Sequence, residues 1–216
     1  LASLLPGFFI SVEGIDGSGK STQARLLAGR LRQEGESVIS IHDPGTTALG
    51  ERIRALLLGK SEDAPPAPFA EVSLFLAARV QLLKEMIEPA LARGEVVVCD
   101  RYLDSTLVYQ GAGRGLDLDA LLELHRLVGA ARMPDLTLVL DLEVQAAQRR
   151  SDATLPADRI EAEPTTYHER VRQGYLALAP RFPERVVVLS AKPPPQDLAE
   201  SCWRVASDRL MARRAT

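Results

Sequence analysis

Cysteine is almost absent: Cys99 and Cys202 are the two in the chain, far apart in sequence. They cannot build a disulfide framework or, by themselves, a zinc site, so a reducing compartment is expected. No charge sign dominates either. Twenty-nine acidic against 26 basic residues leave a net charge of −3, which argues against a bulk nucleic-acid binder. No apolar run approaches the roughly 18–20 residues that span a bilayer, so no membrane partner is expected. Leu1 to Phe9 has no basic n-region and is broken by Pro6 and Gly7, so it does not read as a signal peptide. Internal repeats and long low-complexity tracts are missing. With 216 residues, 46% apolar and 25% charged, the expectation is one soluble, cytoplasmic domain over residues 1–216.

What is present alternates. Phe8–Glu13, Ser37–Ile41, Val96–Asp100, Leu136–Leu142 and Arg185–Ser190 read as strands, most of them apolar nearly throughout, as buried parallel strands are. Ser21–Glu34, Ala70–Arg93, Asp117–Ala131, Thr165–Ala179 and Gln196–Arg213 carry helical spacing, with Pro89 expected to kink or split its helix. The alternation predicts an α/β fold, a parallel sheet covered on both faces. Lys60–Pro68 reads as a surface connection, and Arg150–Pro164 as a flap.

Gly14 to Ser21, GIDGSGKS, satisfies G-x-x-x-x-G-K-[ST] between a strand and a helix. In such a loop Gly14, Gly17 and Gly19 let successive N–H groups turn toward phosphate oxygens, and the helix N-terminus favours the same anion. Lys20 is placed for the β- and γ-phosphates and the Ser21 hydroxyl for Mg²⁺. The ATP cradle is therefore expected to be Gly14, Ile15, Asp16, Gly17, Ser18, Gly19, Lys20, Ser21 and Thr22. A signalling GTPase would also carry a guanine-reading Asn-Lys-x-Asp, which does not occur. A motor or helicase needs modules that this length leaves little room for. A small kinase with a compact acceptor fits better.

Asp100 ends an apolar strand, where parallel strands face the ligand crevice, and its carboxylate is placed for Mg²⁺. Arg101 beside it can fork onto a phosphate. Phe75 and Arg79 stand four apart on a helix and share a face, an aromatic plate beside a guanidinium. Read without further context, a phenylalanine in such an apolar run is more often core than platform. Tyr109 and Gln110 precede GAGRG, a loop suited to close approach to a ligand.

Taken in order, GIDGSGKST (14–22), DPGTT (43–47), FLAARVQ (75–81), DRY (100–102), YQGAGRG (109–115) and DRIE (158–161) resemble the motif set of thymidylate kinases, with spacing preserved from about residue 8 to residue 180. The resemblance implies a P-loop nucleoside-monophosphate-kinase-like three-layer sandwich, its five-stranded parallel sheet in 2-3-1-4-5 order, with a short lid at about 150–164. It implies transfer of the γ-phosphoryl of MgATP to dTMP, giving dTDP and ADP in dTTP synthesis, and a homodimer. It assigns the acceptor phosphate to Arg101, the base to Phe75, Arg79 and Gln110, the deoxyribose to Tyr109, and further pocket contacts to Ser105, Thr106 and Asp43. Asp16 matches a carboxylate near the sugar 3′-hydroxyl and the acceptor phosphate.

The pattern also departs. These kinases bring an arginine to the transferring group from the P-loop or from the lid. Here the P-loop position is Gly17, and Ser151–Ala157 (SDATLPA) holds no basic residue. Arg149 or Arg150, at the leading edge of the lid, is the favoured source of that cation. Arg159 is a second candidate, also expected to serve the adenine side, and a slow enzyme or a changed acceptor is a third explanation. His42-Asp43 stands where the family more often has Arg-Glu, replacing a permanent charge with one mostly neutral at pH 7. His125 and His168 are expected at the surface, and Ser190–Pro193 near the adenine. The alternatives are a related nucleotide or nucleoside kinase with another acceptor, and a nucleotide-binding regulator with weakened catalysis.

Overall fold

The computed structural model describes residues 7–59, 65–151 and 158–214. Five strands, β1 (Phe8–Glu13), β2 (Val38–His42), β3 (Val96–Asp100), β4 (Leu136–Asp141) and β5 (Val186–Ser190), form one parallel sheet in the order β2-β3-β1-β4-β5. The expected strands fall within one residue of these bounds at each end. Every residue of β1 is buried, as are the first four of β3, because both faces of the middle strands lie under helices. Edge strands β2 and β5 are only partly covered.

Register decides what shares the ligand edge. Val12 and His42 both pair with Asp100, and Asp141 pairs with Ser190. The carboxyl ends of all five strands therefore finish together, where α/β sheets place their ligands.

Helices α1 (Lys20–Gln33), α6 (Leu118–Leu127), α8 (Thr165–Arg181) and α9 (Pro195–Arg214) match expected segments. The stretch expected at Ala70–Arg93 is α3 (Pro68–Leu82), a wide π-helical turn at Leu83–Ile87, and α4 (Glu88–Ala92). Pro89 has no N–H to offer the preceding turn, and Glu88 N–H reaches back five residues to the Leu83 carbonyl. Three helices come from segments with no helical expectation. These are α2 (Ala48–Leu58), capped by the Thr47 hydroxyl accepting from Gly50 N–H, α5 (Leu103–Thr106), which runs into a π-helical Leu107–Gly113, and α7 (Val144–Ser151). Residues 60–64 and 152–157, within the expected connection and flap, lie outside the described part.

Candidate active site

Where β1 passes into α1, the chain makes the curl that phosphate binding needs. Gly19 caps the helix at φ 97°, and Gly17 sits at φ 78° with its backbone pressed on α7. A Cβ on Gly17 would lie 2.1 Å from the Ala147 carbonyl oxygen. Lys20 is buried beneath the loop, its Nζ donating to the Ile15 carbonyl at 2.8 Å and lying 3.4 Å from Asp16 Oδ1. Burial and the nearby Arg101 pull its pKa down. A cleft of about 960 Å³ opens above the loop, lined by residues 16–23, Asp100, Arg101, Arg150 and residues 191–195. The loop after β5, expected at the adenine, is thus part of this wall. Arg150 crosses to it, Nη1 donating to the Ala191 carbonyl at 3.1 Å.

Asp100 Oδ1 is buried without a hydrogen-bond partner, and Asp100 lines this cleft together with Ser21. A free carboxylate oxygen and a hydroxyl facing a phosphate cradle suit Mg²⁺, which commonly takes one or two protein ligands and completes its shell with phosphate and water.

A smaller pocket of about 110 Å³ adjoins the cleft and shares Asp16, Asp43, Arg54, Arg101 and Glu161 with it. Asp16, Asp43, Phe75, Arg79, Arg101, Ser105, Thr106, Tyr109 and Gln110, expected on the acceptor side from five separate stretches of sequence, all line it. Arg101 takes the uncommon left-handed backbone at φ 65°. Its guanidinium pairs with Asp16, with Nη1 reaching the Gly14 carbonyl at 3.2 Å and Ser105 Oγ at 3.3 Å. It also lies 4.9 Å above the Tyr109 ring. Tyr109 in turn donates its hydroxyl proton to Asp16 Oδ2 at 2.9 Å. Burial alone would raise the Asp16 pKa, but Arg101 and Lys20 outweigh it and hold the carboxyl well below its usual range.

Beneath them is Glu13, whose place in the site the sequence did not signal. It accepts from Tyr102 N–H and Ser105 Oγ at 2.7 Å, and from the Tyr175 hydroxyl at 3.0 Å. Burial, reinforced by Asp104, raises its pKa to about 7.

Arg79 lines the pocket and is also tied into the protein. It is 1% exposed; Nε donates to Asp43 Oδ2 at 2.7 Å, with Nη2 2.6 Å from the same oxygen in an ion pair, while Nη1 donates to Thr106 Oγ1 and His125 Nε2 (2.9 and 2.7 Å) and Nη2 to the Tyr102 carbonyl (3.2 Å). Arg79 thus stands at the pocket wall and anchors Asp43 there. Asp43 Oδ1 is left buried and unpartnered. Burial pushes this carboxyl up against the opposing pull of Arg79.

Two surface expectations fail. His125 is fully buried, because the residue one turn before it, Leu121, faces the core and His125 shares that face; Nδ1 donates to the Leu121 carbonyl at 2.7 Å. His168 is 5% exposed, with Nε2 3.2 Å from the Glu161 carbonyl oxygen. His42 does sit half-open at its strand end, 2.9 Å from Glu51. Arg159 does not approach the adenine side. Its Nη2 pairs with Glu71 at 2.6 Å and its Nε donates to the Leu57 carbonyl at 3.0 Å, both on the acceptor side. Arg149 is exposed on α7 and does not line either cavity.

Arg54 and Tyr175 also join the site without a local sequence signal. Arg54 of α2 lines both cavities, with Nη1 donating to the Pro44 carbonyl at 2.9 Å. Tyr175 of α8 braces Ser105 at 2.9 Å and Arg101 at 3.4 Å. An Arg in an amphipathic helix and a Tyr in a helical stretch carry no local signal of this convergence.

A phosphate-binding loop after the first strand, a 2-3-1-4-5 parallel sheet and a second pocket facing the loop define a P-loop kinase of the nucleoside-monophosphate kinase class. The sequence model of the thymidylate kinase family matches residues 12–202. A thymidylate kinase of Synechococcus sp. is 46% identical over 202 residues, covering 94% of this chain and 95% of that protein. One of Deinococcus radiodurans is 43% identical over 203 residues, covering 94% and 98%. The crystal structure of thymidylate kinase from Ehrlichia chaffeensis superposes with a TM-score of 0.77 at 31% identity, covering 93% of this chain and all of that one. The chain belongs to the thymidylate kinase family and is a phosphotransferase. No helix among the described residues is long and apolar enough to cross a membrane.

Proposed function

We propose that the protein transfers the γ-phosphoryl group of ATP to the 5′-phosphate of dTMP, giving dTDP and ADP. The observation that carries this reading is the junction of the two cavities. Asp16, Asp43 and Arg101 belong to both, so a donor on the P-loop and an acceptor in the smaller pocket would meet at those residues. Phosphoryl transfer needs little beyond positioning and matched positive charge, because a phosphate acceptor is already nucleophilic.

In this reading the loop N–H groups and Lys20 hold the donor phosphates. Arg101 exchanges its ties to Asp16 and the Gly14 carbonyl for the acceptor phosphate, and Arg54 adds a second cation. Asp16 orients the sugar. Phe75 supplies the face on which the pyrimidine stacks, Gln110 reads its edge, and Tyr109 closes on the deoxyribose beside Ser105 and Thr106. Ser21 and Asp100 would hold Mg²⁺, which when bound neutralises charge on the donor phosphates. Arg150, already in the donor cleft, supplies the cation at the transferring group. The chain acts as one domain with a lid at about 150–164. A cytoplasmic homodimer completes the reading, supported by exposed Leu49 and Leu56 on α2 and Phe69 at the start of α3.

ADP release measured with dTMP, dUMP, dCMP, AMP and thymidine tests the proposal. Turnover strongest with dTMP is expected. Turnover confined to another acceptor, or ATP binding without turnover on any, would overturn it.

A further inference from the structure

Glu71, Phe75 and Arg79 are spaced four apart along α3 and form one stripe. Phe75 and Arg79 line the acceptor pocket; Glu71 lies behind it, 1% exposed. A carboxylate so deep needs partners, and it has an unusual set. Gln110 Nε2 donates to Oε1 at 2.8 Å, Arg114 donates from Nε at 3.1 Å and Nη2 at 3.3 Å, and Arg159 donates to Oε2 at 2.6 Å. Arg114 is braced in turn by Glu163 at 2.6 Å. Although burial opposes it, these donors hold the Glu71 pKa below its ordinary value.

An ionised carboxylate only accepts hydrogen bonds. Gln110 must therefore present its NH₂ to Glu71, which leaves its carbonyl oxygen as the end available to the pocket that Gln110 lines. That Oε1 has no partner among the described residues. A free glutamine amide could rotate and offer either end to a ligand; this one cannot without placing its oxygen against a carboxylate. The distinction matters chemically. Thymine and uracil carry a proton on N3 and suit an acceptor, whereas cytosine presents a bare lone pair at N3 and needs a donor.

We propose that Glu71 is a positioning residue that locks the Gln110 amide with its oxygen toward the acceptor base, so that the site selects pyrimidines protonated at N3 over cytosine. The inference rests on the dTMP-kinase reading and adds to it the origin of base discrimination. Arg114 and Arg159 serve the same end by fixing the carboxylate. Without the lock, Gln110 turns over for a cytosine and the penalty for an unmatched polar group disappears.

The test compares kcat/KM for dTMP, dUMP and dCMP in the full chain and in Glu71→Gln, a near-isosteric change that offers Gln110 both a donor and an acceptor. The dTMP-to-dCMP ratio is expected to fall at least about tenfold, while the dTMP-to-dUMP ratio stays within about threefold because both bases share the N3 proton. A purely structural role would lower all three values together, and an unchanged dTMP-to-dCMP ratio in folded Glu71→Gln overturns the proposal. Gln110→Met, which keeps Glu71 and removes the amide, gives the same collapse; if its ratio is unchanged the proposal is equally overturned. Wild-type protein that phosphorylates none of the three overturns the functional reading, and this inference with it.

Discussion

The guanidinium of Arg79 donates to Nε2 of His125 at 2.7 Å, while Nδ1 of the same ring donates to the Leu121 carbonyl. Both bonds together require one neutral tautomer, and protonation would bring a second positive charge against Arg79. The histidine therefore reports on the state of the acceptor wall, since the same guanidinium anchors Asp43.

Burial and Arg79 lower the His125 pKa from 6.5 to about 4. Between those values the unfolded chain takes up a proton that the folded chain refuses. Stability from this residue is complete above 6.5 and is lost as pH falls toward about 4, about 3 kcal/mol in all. Glu13 acts in the opposite sense. Its folded pKa of about 7 exceeds the ordinary 4.5, so its contribution is complete below 4.5 and is lost as pH rises through about 7. Urea denaturation across pH 4–7 should show His125→Asn with a shallower acid decline than wild type. An unchanged decline would remove His125 as its source.

Asp104 and Arg185 form a bidentate pair at 2.7 Å with both side chains buried, joined by Thr137. Removing one partner strands the other charge. Asp104→Ala is expected to lose about 3–5 kcal/mol of stability, read as a large drop in Tm, with the KM for dTMP in the surviving folded fraction little altered. A Tm within a degree or two of wild type would contradict this.

Arg101→Lys keeps the charge but cannot reproduce a fork that meets Asp16, the Gly14 carbonyl and Ser105 at once. We expect kcat/KM for dTMP to fall at least roughly tenfold, mainly through KM if the residue holds the ground-state phosphate. Calorimetric dTMP binding equal to wild type would remove Arg101 from the acceptor phosphate.

Arg150→Ala should lower kcat at least roughly tenfold while leaving the KM for dTMP nearly unchanged, as expected of a cation that acts on the transferring group. The bond to the Ala191 carbonyl makes a second outcome informative. An unchanged kcat with a raised KM for ATP would assign Arg150 to holding the donor instead.

Much of this architecture is written in local pattern. Strand positions follow from β-branched apolar runs, and the P-loop from glycines that allow its turns. The pairing of Phe75 with Arg79 follows from helical spacing. Other features depend on partners distant in sequence. His125 is polar in an amphipathic helix and reads as exposed, yet it faces Arg79 from 46 residues away. Arg79 is given a base-binding role by the family resemblance, and its charge on an apolar face calls for a partner; that one partner is Asp43 could not be read from the sequence. Glu71 sat in the same helical stripe, and the four-residue spacing that picked out Phe75 and Arg79 extends to it. Tyr175 and Arg54 gain meaning only once α8 and α2 are brought to the strand ends.

Gly17 leaves one constraint on how this site could change over time. Its backbone abuts the Ala147 carbonyl so closely that no side chain fits. An arginine cannot simply be grafted into the loop to replace the cation we propose for Arg150 of α7. The helix would first have to retreat, and Arg150 rides on that helix. Moving the charge from one source to the other is thus a concerted rearrangement of loop and helix, and a lineage that has taken one route is sterically insulated from the other.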